Sequence, residues 1–139
     1  MRKWNVQVAT VGLLLSLVGC SGYRSYQEAQ LAEQTDNWDR AVLKYLELVE
    51  RDPGNIRYKT GLIRARISAS RQHFKRGREL RDAGDLERAV QQLHEAVRLD
   101  STNQYAQAEF EKARDDLIAE QAESASPALA DLKKKMGKD

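Results

Sequence analysis

Few side chains in this sequence of 139 residues could take part in catalysis, and those few stand apart from one another. Cys20 is the single cysteine, so no disulfide can form within the chain. The two histidines, His73 and His94, belong to no His-Glu-x-x-His metal site, and no nucleophile motif or glycine-rich phosphate loop occurs. We therefore expect a non-enzymatic protein without catalytic residues, metal or cofactor, whose carboxylates lie on solvated helix faces.

The chemistry expected of Cys20 follows from the residues that precede it. Arg2 and Lys3 lead into an apolar run, Val6–Val18, whose 13 residues are fewer than the roughly 20 that a bilayer-spanning helix needs. The run ends in the sequence Leu-Val-Gly-Cys. This sequence resembles the bacterial lipoprotein box, in which the signal is cut immediately before an acylated cysteine. The alternative is an incidental cysteine behind an ordinary secretory signal.

The resemblance to the lipoprotein box implies where the mature protein begins and where it resides. Residues 1–19 would be the signal peptide, and Cys20 would become the lipidated N-terminus. Several acyl chains on one residue would hold the protein stably at a membrane. Ser21 stands where an aspartate often marks inner-membrane retention, so the resemblance favours an outer-membrane lipoprotein that faces the periplasm.

The segments behind Cys20 are predicted to be helices that pack in pairs. The chain is rich in Ala, Leu, Glu, Gln, Arg and Lys, has two prolines and shows no strand alternation, which predicts an all-α fold. Small and large apolar residues recur at fixed steps at Gly77, Leu80, Leu86, Ala89, Leu93 and Ala96. This spacing resembles the tetratricopeptide repeat. The resemblance implies antiparallel helix hairpins whose small residues let the helices approach closely.

A second copy of the hairpin lies earlier in the chain. One constant shift, called here the repeat shift, superimposes Arg40 on Arg88, Ala41 on Ala89, Val42 on Val90, Glu47 on Glu95, Val49 on Val97, Asp52 on Asp100 and Asn55 on Asn103. A contiguous array would repeat at about 34 residues, and the repeat shift is longer by about 14, so a segment is inserted between the copies. Because the range 56–81 lacks proline, we expect one long helix of about 40 Å. A break near Gly61 is the alternative.

About five helices are therefore expected, the long one central, in a domain that covers residues 20–123. The fifth helix carries Ala106, Phe110, Ala113 and Leu117 on one face. Residues 124–139, which contain a Ser/Pro/Ala stretch and then Lys133-Lys134-Lys135, are predicted to form a disordered basic tail. Because about three repeats are usually needed for a stable stack, we expect a marginally stable domain or a homodimer.

Charge is concentrated on the predicted long helix. Residues 57–81 carry nine basic side chains and one acidic, a net charge of +8, while residues 21–52 and 83–123 carry −3 and −6. In one interpretation the basic side chains make ordinary surface ion pairs with their acidic neighbours. In the other, part of this face receives an acidic peptide or anionic lipid headgroups. Nucleic acid is not expected as a partner, because an export signal is present and interleaved aromatic residues are few.

The tetratricopeptide resemblance also implies which residues would bind a partner. In that family the first helix of each pair lines a concave groove. By this resemblance the groove residues would be Tyr23, Tyr26, Gln30 and Glu33 in the first copy, and Arg71, Phe74, Arg78 and Arg81 in the second. An arginine beside an aromatic ring suits a peptide carboxylate.

A more specific resemblance covers roughly residues 22–120. The long basic helix that runs into Gly77-Arg78-Glu79-Leu80 is similar to the helical segment that precedes the pore-forming part of some bacterial secretins of type II and type IV pilus systems. It implies a lipid-anchored scaffold of the cell envelope that binds a secretin or another assembly component of a secretion system, as repeat-containing pilotin lipoproteins do. The alternative is an accessory or sensor subunit of an envelope enzyme complex.

Overall fold

Five α-helices make up the part of the chain that the structure, a computed structural model, describes: the backbone of residues 22–136 and the side chains of residues 22–125. Helix α1 occupies residues 22–34, α2 Trp38–Arg51, α3 Ile56–Asp82, α4 Leu86–Leu99 and α5 Gln104–Met136. No strand occurs among these residues, so the all-α prediction is confirmed. The predicted signal peptide, residues 1–19, and Cys20 lie outside the described residues.

The turns before α2 and α4 share one backbone geometry. Asp36 and Gly84 correspond under the repeat shift, and both have a positive φ, of 52° and 80°. In each turn the next amide, that of Asn37 or Asp85, donates to the carbonyl five residues back, at 2.8 and 2.9 Å. Glycine reaches this left-handed conformation without a Cβ clash, and aspartate is among the residues that tolerate it. The sequence repeat is therefore also a repeat in backbone geometry.

Helices α2 and α4 also begin in the same way. The Asn37 side chain accepts a hydrogen bond from the Arg40 amide at 3.3 Å, and the Asp85 side chain accepts one from the Arg88 amide at 3.2 Å. Each cap satisfies an amide that has no carbonyl partner in the first turn of its helix. Both helices then run for 14 residues.

Helix α3 is continuous over 27 residues, or about 40 Å. The long helix predicted from the inserted residues is therefore confirmed, and the alternative, a break near Gly61, is wrong. Gly61 is buried, and a Cβ atom at this residue would lie 2.4 Å from Cε1 of Tyr45. The glycine thus costs helix propensity, about 1 kcal/mol relative to alanine, but lets the Tyr45 ring pack directly on the helix backbone.

The chain divides into two compact units between Ala69 and Ser70, within α3. Unit 1 contains α1, α2 and the first half of α3, and unit 2 contains the second half of α3, α4 and α5. The sequence predicts a single domain over residues 20–123, so this division is a refinement that only the contacts provide. Each unit buries its own small core.

The core of unit 1 is built mostly from alanines. Arg51 Nη1 donates to Ser25 Oγ at 3.5 Å, and Lys44 Nζ lies 3.1 Å from Glu28 Oε2, so α1 and α2 run antiparallel. The hydrogen bond from Lys44 lowers the pKa of Glu28, which stays ionised. The buried apolar residues are Ala29, Ala32, Ala41, Val42, Tyr45, Leu48, Ala65 and Ala69.

Unit 2 packs α3 against α4, and α4 against α5. Ser70 Oγ donates to the Ala96 carbonyl at 2.8 Å, and a Cβ atom on Gly77 would lie 2.6 Å from Leu93 Cγ. These two contacts place α3 and α4 antiparallel and close together. On the predicted face of α5, Ala106 and Ala113 are buried, while the other two members are half-buried. The buried residues of this unit are Ser70, Gly77, Ala89, Leu93, Ala96, Leu99, Ala106 and Ala113.

Helix α5 continues to Met136 and so covers most of the range 124–139. The backbone there is helical rather than the disordered tail that the composition predicts. Alanine, leucine and lysine, which are frequent in this range, have high helix propensity, and a preformed helix extends without a new nucleation step. Pro127 opposes this, since proline in a helix interior costs about 3 kcal/mol relative to alanine.

Candidate partner-binding surfaces

The predicted partner-binding residues fall into two sets, one in each unit. Tyr23, Tyr26 and Gln30 lie on α1 in unit 1, whereas Arg71, Phe74, Arg78 and Arg81 lie on the second half of α3 in unit 2. The surface around each set is described separately below.

In unit 1, Tyr23 and Tyr26 line a cleft of about 700 Å³, called here the tyrosine cleft. Its other wall comes from the start of α3 and the turn before it, with Ile56, Arg57 and Tyr58 as the side chains. Tyr23 and Ile56 are 68% and 78% exposed, so both of these large side chains of the cleft are in contact with water. The sequence prediction missed the three α3 residues, because all of α2 separates them from Tyr26 along the chain.

The floor of the tyrosine cleft is held in place by aromatic contacts. The Tyr26 ring meets Tyr45 edge-on, with centroids 6.3 Å apart, and lies 5.7 Å from the ring of Tyr58. Gln30 Nε2 donates to the Tyr26 hydroxyl at 3.3 Å. Burial raises the pKa of Tyr45, so this phenol stays neutral at physiological pH. Gln30 therefore contacts Tyr26 but is not among the residues that line the cleft.

One basic residue of α3 is bound within unit 1. Arg64 Nη2 lies 2.8 and 2.9 Å from the two carboxylate oxygens of Glu33, and Arg64 Nε lies 3.0 Å from the nearer one. This forked geometry is the strongest arrangement for an arginine and a carboxylate, and the hydrogen bond raises the pKa of Arg64. Glu33, a predicted groove residue, is therefore already paired with an arginine of its own chain.

In unit 2, three of the predicted residues remain exposed or half-exposed on α3. The Arg78 guanidinium carbon lies 5.9 Å from the centroid of the Phe74 ring, at the distance of a cation–π contact. Beside them is a shallow depression of about 260 Å³, whose lining also includes Lys75 and the carboxylates of Glu79 and Asp82. Arg71 is exposed two helical turns before Arg78. We call Arg71, Phe74, Lys75 and Arg78 the α3 patch.

Arg81 differs from the other predicted residues because its charge is already engaged. Its side chain is only 15% exposed and pairs with Glu109 of α5, while Asp82 lies 3.8 Å away. Arg81 corresponds to Glu33 under the repeat shift, and each pairs with an opposite charge on the third helix of its unit. This residue holds unit 2 together rather than presenting a guanidinium to solvent.

Some basic residues of α3 make ion pairs with acidic neighbours, as the first interpretation predicts, and others remain unpaired, as the second requires. Arg64, Lys75 and Arg81 pair with acidic residues, the Lys75–Glu79 pair being loose at 3.9 Å. Five others make no ion pair with any residue that the structure describes: Arg57, Lys59, Arg71, Arg76 and Arg78.

Both histidines make structural contacts in unit 2. His73 Nδ1 lies 2.8 Å from Gln92 Oε1, and the His94 ring lies 5.5 Å from the ring of Phe110. In the part of the chain with described side chains, no group of three His, Cys, Asp or Glu residues is arranged to hold a metal ion.

Comparison with known proteins adds no family assignment. No protein-family model matches the chain, and no curated protein is significantly similar to it. Within residues 22–136, no helix combines the length and apolar character needed to cross a bilayer.

Proposed function

We propose that this protein is a lipid-anchored, non-enzymatic scaffold of the bacterial cell envelope, built from tetratricopeptide-type hairpins, that binds a partner protein. The anchor is Cys20, acylated after removal of residues 1–19. The partner is a secretin or another component of a secretion or pilus assembly, and the protein faces the periplasm from the outer membrane.

The observation that carries the proposal is the repetition of one hairpin geometry. The turn, the N-cap and the 14-residue second helix all recur under the repeat shift. Proteins that repeat a helical hairpin in this way commonly use the exposed face of the first helix to dock a partner.

The α3 patch supplies the binding chemistry. Arg71 and Arg78 are seven residues apart, about 10 Å along the helix, with Phe74 between them. Two guanidinium groups at this spacing can each hold a carboxylate of an acidic segment, and the ring gives an apolar contact between them. We therefore expect a partner segment whose acidic side chains match this spacing, with an apolar residue between them. Arg81 is not part of this contact, because Glu109 already neutralises it.

The first test is recovery of the partner from the native envelope. The tagged full-length protein, with Cys20 intact, would be purified from detergent-solubilised membranes and its partners identified by mass spectrometry. Recovery of secretion or pilus components supports the proposal. Recovery of a hydrolase or kinase instead supports the accessory or sensor subunit of an enzyme complex.

The second test locates the contact. Arg78→Ala should weaken binding about tenfold, since a hydrogen bond to a charged group contributes about 1.5 kcal/mol or more. Arg76→Ala is the matched control, because Arg76 is an exposed arginine of the same helix about 140° around the axis from Arg71. Equal losses for the two variants would contradict a specific α3 patch.

A further inference from the structure

The tyrosine cleft opens where the described chain starts. Gly22, the first described residue, lines the cleft together with Tyr23, and the opposite wall begins at Gly54. Cys20 is two residues before Gly22. We propose that the mouth of the tyrosine cleft, formed by Tyr23, Ile56 and Arg57, lies in the phospholipid headgroup layer of the membrane that anchors Cys20. This inference rests on the proposed acylation.

The chain length between the anchor and the cleft sets the geometry. Two residues span at most about 7 Å even when fully extended. If the acyl chains of Cys20 enter the bilayer, Gly22 can stand no further than this from the anchored residue. The residues that share the cleft with Gly22 are then held at the membrane surface, without a flexible linker that could keep them away from it.

The side chains at the mouth have the character of a membrane interface. Ile56 and Tyr23, 78% and 68% exposed, are large apolar groups that the fold of unit 1 leaves in water. Tyrosine is enriched at the headgroup level, where its ring meets acyl chains and its hydroxyl meets water. Contact with the bilayer would remove both side chains from water.

The mouth of the cleft also carries a positive charge, which suits contact with anionic lipid headgroups. Arg57 lines the cleft and makes no ion pair with the residues that the structure describes. Neither of the nearest carboxylates along the chain, Asp52 and Glu28, is among the residues that line the cleft. Arg57 is the charged side chain of the lining, and a cation at the mouth is attracted to anionic headgroups.

Site-directed spin labelling of the full-length lipidated protein tests the contact. The thiol of an acylated Cys20 is consumed, so Ile56→Cys would introduce the only reactive thiol. The control is Tyr105→Cys in unit 2, whose parent side chain is 81% exposed. Both labelled proteins would be placed in vesicles of phosphatidylethanolamine and phosphatidylglycerol. Accessibility of each label to a water-soluble nickel chelate and to oxygen would then be measured by power saturation.

The expected result is a several-fold lower ratio of nickel to oxygen accessibility for the Ile56 label than for the Tyr105 label. Equal, water-like ratios in protein that floats with the vesicles would overturn the membrane contact while leaving the anchor intact. A label that becomes shielded only when a partner protein is added would assign the cleft to protein binding and also overturn it. Protein that fails to float, with unmodified Cys20, would overturn both the anchor and this inference.

Discussion

At the scale of single residues, two glycines decide how closely the helices pack. Gly61 and Gly77 both lie within α3, and each faces a large side chain of a neighbouring helix in its own unit. Tyr45 and Leu93 are equivalent under the repeat shift, yet Tyr45 packs on the helix after its own and Leu93 on the helix before. The same buried position is thus filled in two ways, by a ring and by an aliphatic chain.

Gly77→Ala should destabilise the protein by about 1–2 kcal/mol net, because overpacking a buried contact costs about 1–3 kcal/mol and a contact with backbone lies at the upper end of that range. The new Cβ would lie 2.6 Å from Leu93 Cγ and 3.2 Å from the Leu93 amide nitrogen, so the backbone as well as a side chain must move. This cost exceeds the gain in helix propensity of about 1 kcal/mol. Urea unfolding followed by circular dichroism measures the difference.

Gly54→Ala is the matched control for this prediction. Its Cβ would meet only Asp52 Oδ1, at an ordinary contact distance of 3.6 Å. The free energy of unfolding should then change by no more than about 0.5 kcal/mol. If Gly77→Ala were as stable as Gly54→Ala, the close approach of α3 and α4 would be wrong.

At the scale of elements, α2 and α4 are nearly the same helix with one chemical difference. Both are capped by a side-chain oxygen three residues before a bonded arginine amide, but the cap is a neutral amide in Asn37 and a carboxylate in Asp85. The side chain of Arg88 also donates to Asp85 at 2.6 Å, and this hydrogen bond lowers the pKa of Asp85 below its ordinary value of 3.8. The N-cap of α4 is therefore acid-sensitive, whereas the neutral N-cap of α2 is not.

This difference predicts how stability depends on pH. The pKa of Asp85 is lower in the folded than in the unfolded protein, so the ionised carboxylate stabilises the fold. This stabilisation is fully present when the pH lies above the pKa of Asp85 in the unfolded protein. It is lost as the pH falls through the pKa of Asp85 in the folded protein. Asp85→Asn keeps a capping oxygen but removes the titrating group. The melting temperature of the variant should therefore fall less steeply than that of the wild type below about pH 4.

The reciprocal variant tests the same claim in the other unit. Asn37→Asp places a carboxylate three residues before Arg40, as Asp85 stands before Arg88, and should steepen the loss of stability in acid. Thermal melts from neutral pH into the acid range measure all three proteins. Identical profiles for the wild type and both variants would refute the acid-sensitive cap.

At the scale of the whole molecule, the amount of buried apolar surface limits stability. The cores consist mainly of alanines, and Tyr45, Leu48 and Leu93 are the largest apolar side chains that are fully buried among the described residues. Each unit holds little more than one hairpin and one further helix. Helical repeats usually need about three copies to form a stable stack, whereas this chain has two copies of the hairpin.

The purified protein should therefore be a marginally stable monomer or a homodimer. A marginal monomer should melt at or below about 65 °C, within the range of ordinary small domains. A homodimer should melt at a temperature that rises with protein concentration, because dissociation accompanies unfolding. Light scattering gives the mass and calorimetry the melting temperature. A monomer that melts cooperatively above about 80 °C, well beyond that ordinary range, would contradict the prediction.

Local patterns in the sequence were sufficient to predict the helices and most of the core. The repeated alanines recur at helical spacing within each predicted helix, so helical periodicity alone identifies them. It also predicts the length of α3, since no proline interrupts residues 56–81. It does not predict the helical backbone at residues 124–136. The composition of this range predicts disorder, whereas the helix propensity of its alanines, leucines and lysines favours a helix.

The partners of surface side chains were decided only by the tertiary structure. Periodicity says that Arg81 and Tyr26 lie at the side of a helix, but not which residues of other helices come within reach. Packing within each unit brings Glu109 to Arg81, which removes its charge from the binding surface, and brings Tyr58 to Tyr26, which creates the tyrosine cleft. These contacts join residues that are separated by a whole helix along the chain, and they depend on how the helices cross, which no local pattern encodes.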